Sequence, residues 1–151
     1  MQKKLETPQL RETNALEREI REAHESMQSC FREMERVLES PSFDAGKLTS
    51  VRLKLAGIRL TRGPLVMKVA AVLAGNVTRE EAAILEGLRA SHQRLLQTAT
   101  VHTSKWTIDA IATNWIAYRR ETRQLMRQWM EKAEREQSLI YPLVRRCADQ
   151  A

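Results

Sequence analysis

The sequence is poor in aromatic residues, cysteine, glycine and proline. Aromatic residues make up 5% of the 151 residues, and the chain has 2 cysteines, 5 glycines and 4 prolines. Sheets and turn-rich folds favour β-branched, aromatic and turn-forming residues, so this composition favours helices. Two cysteines are too few for the disulfide framework of a small secreted domain. We therefore expect a cytoplasmic protein.

Long apolar runs are also missing from the sequence. The longest stretch without a charged residue, 69–78, is far shorter than the roughly 20 residues that cross a bilayer. The start, MQKKLETPQL, has no apolar segment after its lysines, so no signal peptide is predicted. We expect no membrane partner. The length and even composition predict one domain over 1–151, large enough to bury its own core.

What the chain does contain is apolar residues at helical spacing, in steps of three, four and seven. Caps and breakers divide this pattern into four long helices with a short helical turn at 107–113. These features predict an all-α protein, an up-down-up-down four-helix bundle, in which Gly63-Pro64 kinks or breaks the second helix. The predicted helices run from about Leu10 to Glu39, from near Lys47 to just before Gly75, from Thr78 to about His102–Trp106, and from Asn114 to about Arg146.

Three ionisable residues fall on the predicted inward faces. His24 lies between Ile20 and Met27, His92 is flanked by leucines, and Glu136 lies on the fourth helix. At about 1.5 Å of rise per residue, the three lie at similar heights in an antiparallel bundle. Two interpretations remain open, because buried imidazoles and carboxylates are either hydrogen-bonded to one another or bound to a metal. An imidazole and carboxylate set suits Zn or Fe.

The run 131–143, EKAEREQSLIYPL, carries a resemblance to a known family. It is similar to the closing motif of hemerythrin-like (HHE cation-binding) domains, in which a histidine precedes a glutamate by four residues and an apolar-aromatic-proline ending follows. His24 and His92 match the single-histidine positions of that family, and Trp106 before a short helix also resembles it. The resemblance covers 16–143 and implies a four-helix bundle built around two metal ions.

Several ligands that the resemblance implies are replaced in this chain. The family's histidine and glutamate of the second helix fall on Gly63 and Met67, and its histidine of the fourth helix falls on Lys132. Glycine has no side chain, methionine is a soft ligand, and an ammonium repels a cation. No histidine or acidic residue occurs anywhere in 47–76. A two-metal centre is therefore not predicted, and His24, His92 and Glu136 remain as candidate ligands.

Positive charge is concentrated in the second predicted helix. The chain carries a net charge of +6, and 47–76 contains six basic residues and no acidic one. Either the glutamates of the first helix at 17, 22, 25, 33 and 39 neutralise this segment, or it binds a partner. Nucleic acid is the weaker possibility, because no base-reading motif accompanies the charge. The predicted partner-binding residues are Arg52, Arg59, Arg62 and Lys68.

These observations predict a non-enzymatic, hemerythrin-like protein that has largely lost its metal centre. It would act as a binding or regulatory module for a protein partner or an acidic surface, without a cofactor. No phosphate-binding loop or nucleophilic triad appears in the sequence. The alternative is an Fe or Zn protein that senses oxygen, redox state or iron through His24, His92 and Glu136.

Overall fold

The computed structural model describes residues 7–150, and these residues form five α-helices with no strand among them. The prediction of an all-helical protein is confirmed. Four helices are long, and α4 is the short helical turn expected around 107–113. The helices are α1 (Pro8–Glu39), α2 (Ala45–Leu73), α3 (Arg79–Lys105), α4 (Ile108–Thr113) and α5 (Trp115–Asp149).

Polar side chains begin each helix by accepting a backbone hydrogen bond. Asp44 caps α2, and Thr78 starts α3 in a complete capping box with Glu81. Asn114 both ends α4 and caps α5. The predicted starts at Thr78 and Asn114 are confirmed. Because each cap satisfies an amide left free by the first helical turn, these sequence signals fix where the helices begin.

The helices do not pack equally closely. α1 packs extensively against α2 and α5, whereas α3 contacts α5 moderately and α2 only sparsely. Apolar clusters fill both ends of the molecule, one around Leu38 and Tyr118 and another around Leu16 and Val144. The sparse contact between α2 and α3 leaves room for cavities between these two helices.

Of the kink or break predicted at Gly63-Pro64, the break does not occur, because α2 is a single helix from Ala45 to Leu73 with Pro64 inside it. Proline removes one amide donor and leaves the carbonyl four residues back, at Leu60, without its helical partner. Leu60 and Pro64 are both exposed, so water can reach that carbonyl. Burial of Val69 and Leu73 on the inner side holds the following turns in place.

We predict that Pro64→Ala stabilises the protein by about 1 kcal/mol or more, because proline inside a continuous helix is costly relative to alanine. Gly63→Ala should add about 0.5–1 kcal/mol, since a Cβ there meets nothing within 4 Å. Urea unfolding monitored by circular dichroism measures both changes. Destabilisation by both substitutions would show that the helix needs a break at this point.

Candidate functional site

The structure places His24, His92 and Glu136 in the interior, each with its predicted inward orientation. His24 and His92 are buried, and the Glu136 side chain is 12% exposed. Two basic residues lie with them. Arg62 of α2 and Lys132 of α5 are 7% and 3% exposed. The candidate site is therefore a buried polar cluster. It contains the three predicted residues and, in addition, two cations.

Both oxygens of the Glu136 carboxylate are bound by these cations. Arg62 Nη2 donates to Glu136 Oε2 at 2.9 Å, and Lys132 Nζ donates to Glu136 Oε1. The Lys132 ammonium also lies 5.6 Å from the ring centroid of Trp129. Burial lowers the pKa of Lys132, and the Glu136 carboxylate opposes this change. The network places two basic groups against one carboxylate in a region removed from water.

The two buried histidines keep ring nitrogens without partners among the described residues. These are Nδ1 of His24 and both nitrogens of His92. Burial, reinforced by Lys132, lowers the pKa of His92 to about 4, and burial followed by Arg62 lowers the pKa of His24. The His92 ring lies edge-on to Trp129, with centroids 5.8 Å apart. Both imidazoles are therefore neutral at pH 7.

Within residues 7–150, no group of three or more His, Cys, Asp or Glu residues is arranged to hold a metal ion. The predicted ligand Glu136 is instead engaged by cations on both oxygens. Met67, which aligns with a ligand position of the hemerythrin-like pattern, is 65% exposed. The inner side of α2 at this height is filled by Arg62. The Fe or Zn site remains a prediction.

A cavity of about 450 Å³ lies between α2 and α3 and reaches the polar cluster. His24, Arg62 and Glu136 line it together with mostly apolar side chains. A second cavity of about 320 Å³ lies nearer the α3–α4 turn and is bordered by Arg52 and Arg59. Arg62 lines both cavities, so its side chain separates them.

Arg62 was predicted to lie on the charged surface of α2. This prediction is wrong, because Arg62 is buried and pairs with Glu136. Lys68 of the predicted set is half exposed and pairs with Glu19 of α1 at 2.7 Å. Arg52 donates to the carbonyl of Thr103 at 3.3 Å. Arg59 takes part in none of the ion pairs that α2 forms within residues 7–150, and burial lowers its pKa. The glutamates of α1 thus neutralise the segment only in part.

The outward face of α2 carries an apolar stripe that the sequence interpretation missed. Leu53, Leu60 and Met67 are 69%, 78% and 65% exposed and recur every seven residues. Two intervening residues and one that follows, all small or apolar, extend them into a stripe in alternating steps of four and three, as in a coiled-coil seam. We call this the outer stripe, and its members are Leu53, Gly57, Leu60, Pro64, Met67 and Ala71, all exposed.

The position of His102 near the end of α3, ten residues after His92, predicts a solvated side chain, and the structure contradicts this prediction. Its side chain is 15% exposed, its ring stacks on Tyr118 with centroids 5.7 Å apart, and its Nε2 shares a hydrogen bond of 3.1 Å with Thr122. The helical period alone turned it away from His92, but α5 covers that side of α3 as well.

Arg62 and Lys132 are the site residues that sequence reasoning did not place. A signal for Arg62 was present, since it continues the inward spacing of α2 between Ile58 and Leu65. Lys132 is four residues before Glu136, the spacing at which two side chains meet on one helix face. A lone basic residue in the apolar stripe of one helix therefore predicts a buried ion pair when the stripe of a facing helix carries a lone acidic residue.

Comparison with family models, with characterised proteins and with solved structures found no match to this chain. The hemerythrin-like resemblance is therefore still a prediction. No helix within residues 7–150 combines the length and the apolar content that crossing a bilayer requires.

We predict that Glu136→Gln lowers the free energy of unfolding by about 3 kcal/mol, because it leaves two buried cations without a carboxylate. Lys132→Met should cost less than about 1 kcal/mol, since Arg62 and Glu136 remain paired and the new side chain fits an apolar site. Urea unfolding at pH 7 measures the difference.

The matched control is Glu86→Gln, which breaks an exposed pair with Arg89 and should leave stability nearly unchanged. Equal losses for Glu136→Gln and Lys132→Met would contradict the assignment of Glu136 as the shared centre of the network.

Proposed function

We propose that this chain is a non-enzymatic, hemerythrin-like bundle of up-down-up-down topology that acts as a protein-binding module through α2. In the proposed resemblance, Lys132 and Glu136 of the interior network align with the histidine and glutamate of the fourth-helix motif, and Arg62 lies beside the position that aligns with Gly63. The observation that carries the binding role is the outer stripe, an apolar helix face that no other helix of residues 7–150 covers.

The outer stripe has the geometry of a helix-binding surface. Its alternating steps of four and three place Leu53, Leu60 and Met67 along one line over about four turns of α2. Contiguous exposed apolar surface on a soluble domain is typical of an interaction site. A partner helix with its own apolar seam would bury these side chains, and each buried leucine or methionine contributes about 1.5–3 kcal/mol.

The charges beside the outer stripe favour an acidic amphipathic helix as the partner. Arg52 and Arg59 directly precede Leu53 and Leu60, so they lie along one edge. Lys54 and Lys68 follow stripe residues along the other edge, where Glu33 and Glu19 of α1 pair with them. A second copy packed antiparallel would set one arginine edge against another, which is repulsive.

We predict that a synthetic peptide of three heptads, with leucine at a and d and glutamate at e and g, binds the protein. The double variant Leu60→Ser/Met67→Ser should weaken binding at least about tenfold, because it removes exposed apolar anchors without touching the core. Arg59→Glu should weaken binding through charge repulsion. Fluorescence anisotropy of the labelled peptide measures both effects.

The matched control is Ile116→Ser, which removes an equally exposed apolar side chain from α5 and should leave peptide binding unchanged. A lysine version of the peptide should bind at least about tenfold more weakly. Equal binding of the two peptides, or a dimer in light scattering that Leu60→Ser/Met67→Ser dissociates, would contradict the acidic-helix partner.

A metal-sensing role is the second candidate, and the unpartnered nitrogens of His24 and His92 beside Glu136 favour it. A metal at this place would have to displace Arg62 and Lys132 from the carboxylate. We therefore predict fewer than about 0.2 equivalents of Fe or Zn in protein purified without chelators, since a dedicated site stays largely filled. Elemental analysis measures this, and near-stoichiometric metal that His92→Ala removes would establish the sensor instead.

A further inference from the structure

The cavity between α2 and α3 has an apolar wall and a polar inner end. Leu65, Val69 and Leu73 line it on successive turns of α2, opposite Leu85 and Leu88 of α3. From Arg62 to Leu73 the helix rises about 16 Å. The volume of the cavity, about 450 Å³, lies within the usual range of small-molecule sites. Residues of the α2–α3 turn, Gly75 among them, also line the space.

The inner end of this cavity presents hydrogen-bonding groups that the protein itself leaves unused. Nε of Arg62 has no hydrogen-bond partner in residues 7–150, although the side chain is more than nine-tenths buried. Nδ1 of His24, also buried, is likewise without a partner in this part of the chain. A buried donor without an acceptor costs about 1–3 kcal/mol, which a ligand with an acceptor would recover.

The charge at the inner end favours an anionic ligand. The carboxylates among the described residues that line the cavity are Glu136 and Glu86. Arg62 and Lys132 occupy both oxygens of Glu136, and Arg89 donates to both oxygens of Glu86. Neutral His24 and His92 add no charge there. A guanidinium is a bidentate donor whose geometry matches a carboxylate, and one more carboxylate would balance the second cation.

We propose that this cavity binds an unbranched aliphatic carboxylate, with the carboxylate on Arg62 and His24 and the alkyl chain along Leu65, Val69 and Leu73. The apolar wall excludes highly polar acids, and its length suits a chain of medium size. This site is separate from the outer stripe, because Leu60 and Met67 do not line the cavity. The inference therefore does not rest on the proposed function.

The experiment is calorimetric titration of the whole protein with decanoate, 1-decanol and decylamine at pH 7. Decanoate should bind one to one, with the neutral alcohol at least about tenfold weaker and the amine weaker still. Arg62→Met should lower decanoate affinity at least about tenfold and leave decanol binding nearly unchanged. It should fold, because Lys132 and Glu136 remain paired.

Two further variants locate the ligand. Ala82→Trp fills the cavity from an exposed position on α3 and should weaken decanoate and decanol alike. Arg79→Met, the matched control, removes an arginine from the cavity mouth and should leave decanoate affinity within about twofold.

No binding of decanoate, equal affinity for decanoate and decanol, or a larger loss in Arg79→Met than in Arg62→Met would overturn the proposal. If Arg62→Met fails to fold, the preference of the unaltered protein for decanoate over decanol and the effect of Ala82→Trp decide it. Leu60→Ser/Met67→Ser should still bind decanoate, so the test of the decanoate site is independent of the test of the peptide site.

Discussion

The carboxylate of Glu136, held between Arg62 and Lys132, is the interaction on which the interior depends. Charged groups removed from water are tolerated only when they neutralise one another. The Arg62–Glu136 bond joins residues 74 positions apart and links α2 to α5, two helices that otherwise touch little. It therefore adds a buried connection between α2 and α5 to the extensive packing of α2 against α1, and Arg62 borders both cavities.

The same network sets the chemistry available inside the molecule. It engages the carboxylate that an oxygen-binding metal would need, and burial, reinforced by Arg62 and Lys132, lowers the pKa of His24 and of His92 and keeps both neutral. Hydrogen-bonding groups of Arg62 and His24 that remain unused within residues 7–150 lie next to an apolar cavity. An interior of this kind suits the binding of an anionic ligand better than redox chemistry.

α2 differs from the other long helices because it is apolar on two opposite sides. Its inner side, with Leu48 and Val69, packs into the core, while the outer stripe faces away from the bundle. α1 and α5 instead each have one apolar side and one charged side, as expected for helices with a single buried face. A helix with two apolar faces can pack against a neighbour on each side. This is the physical basis for the proposed partner site.

Local signals in the sequence determined the helices and the inward direction of His24, His92 and Glu136, because caps and helical periodicity act within a few residues. The continuity of α2 through Pro64, the burial of His102 and the pairing of Glu136 with Arg62 were decided only by the tertiary structure. Pairing depends on how helices distant in sequence are rotated and aligned against one another. That arrangement depends on contacts over the whole molecule, so no single segment of sequence contains it.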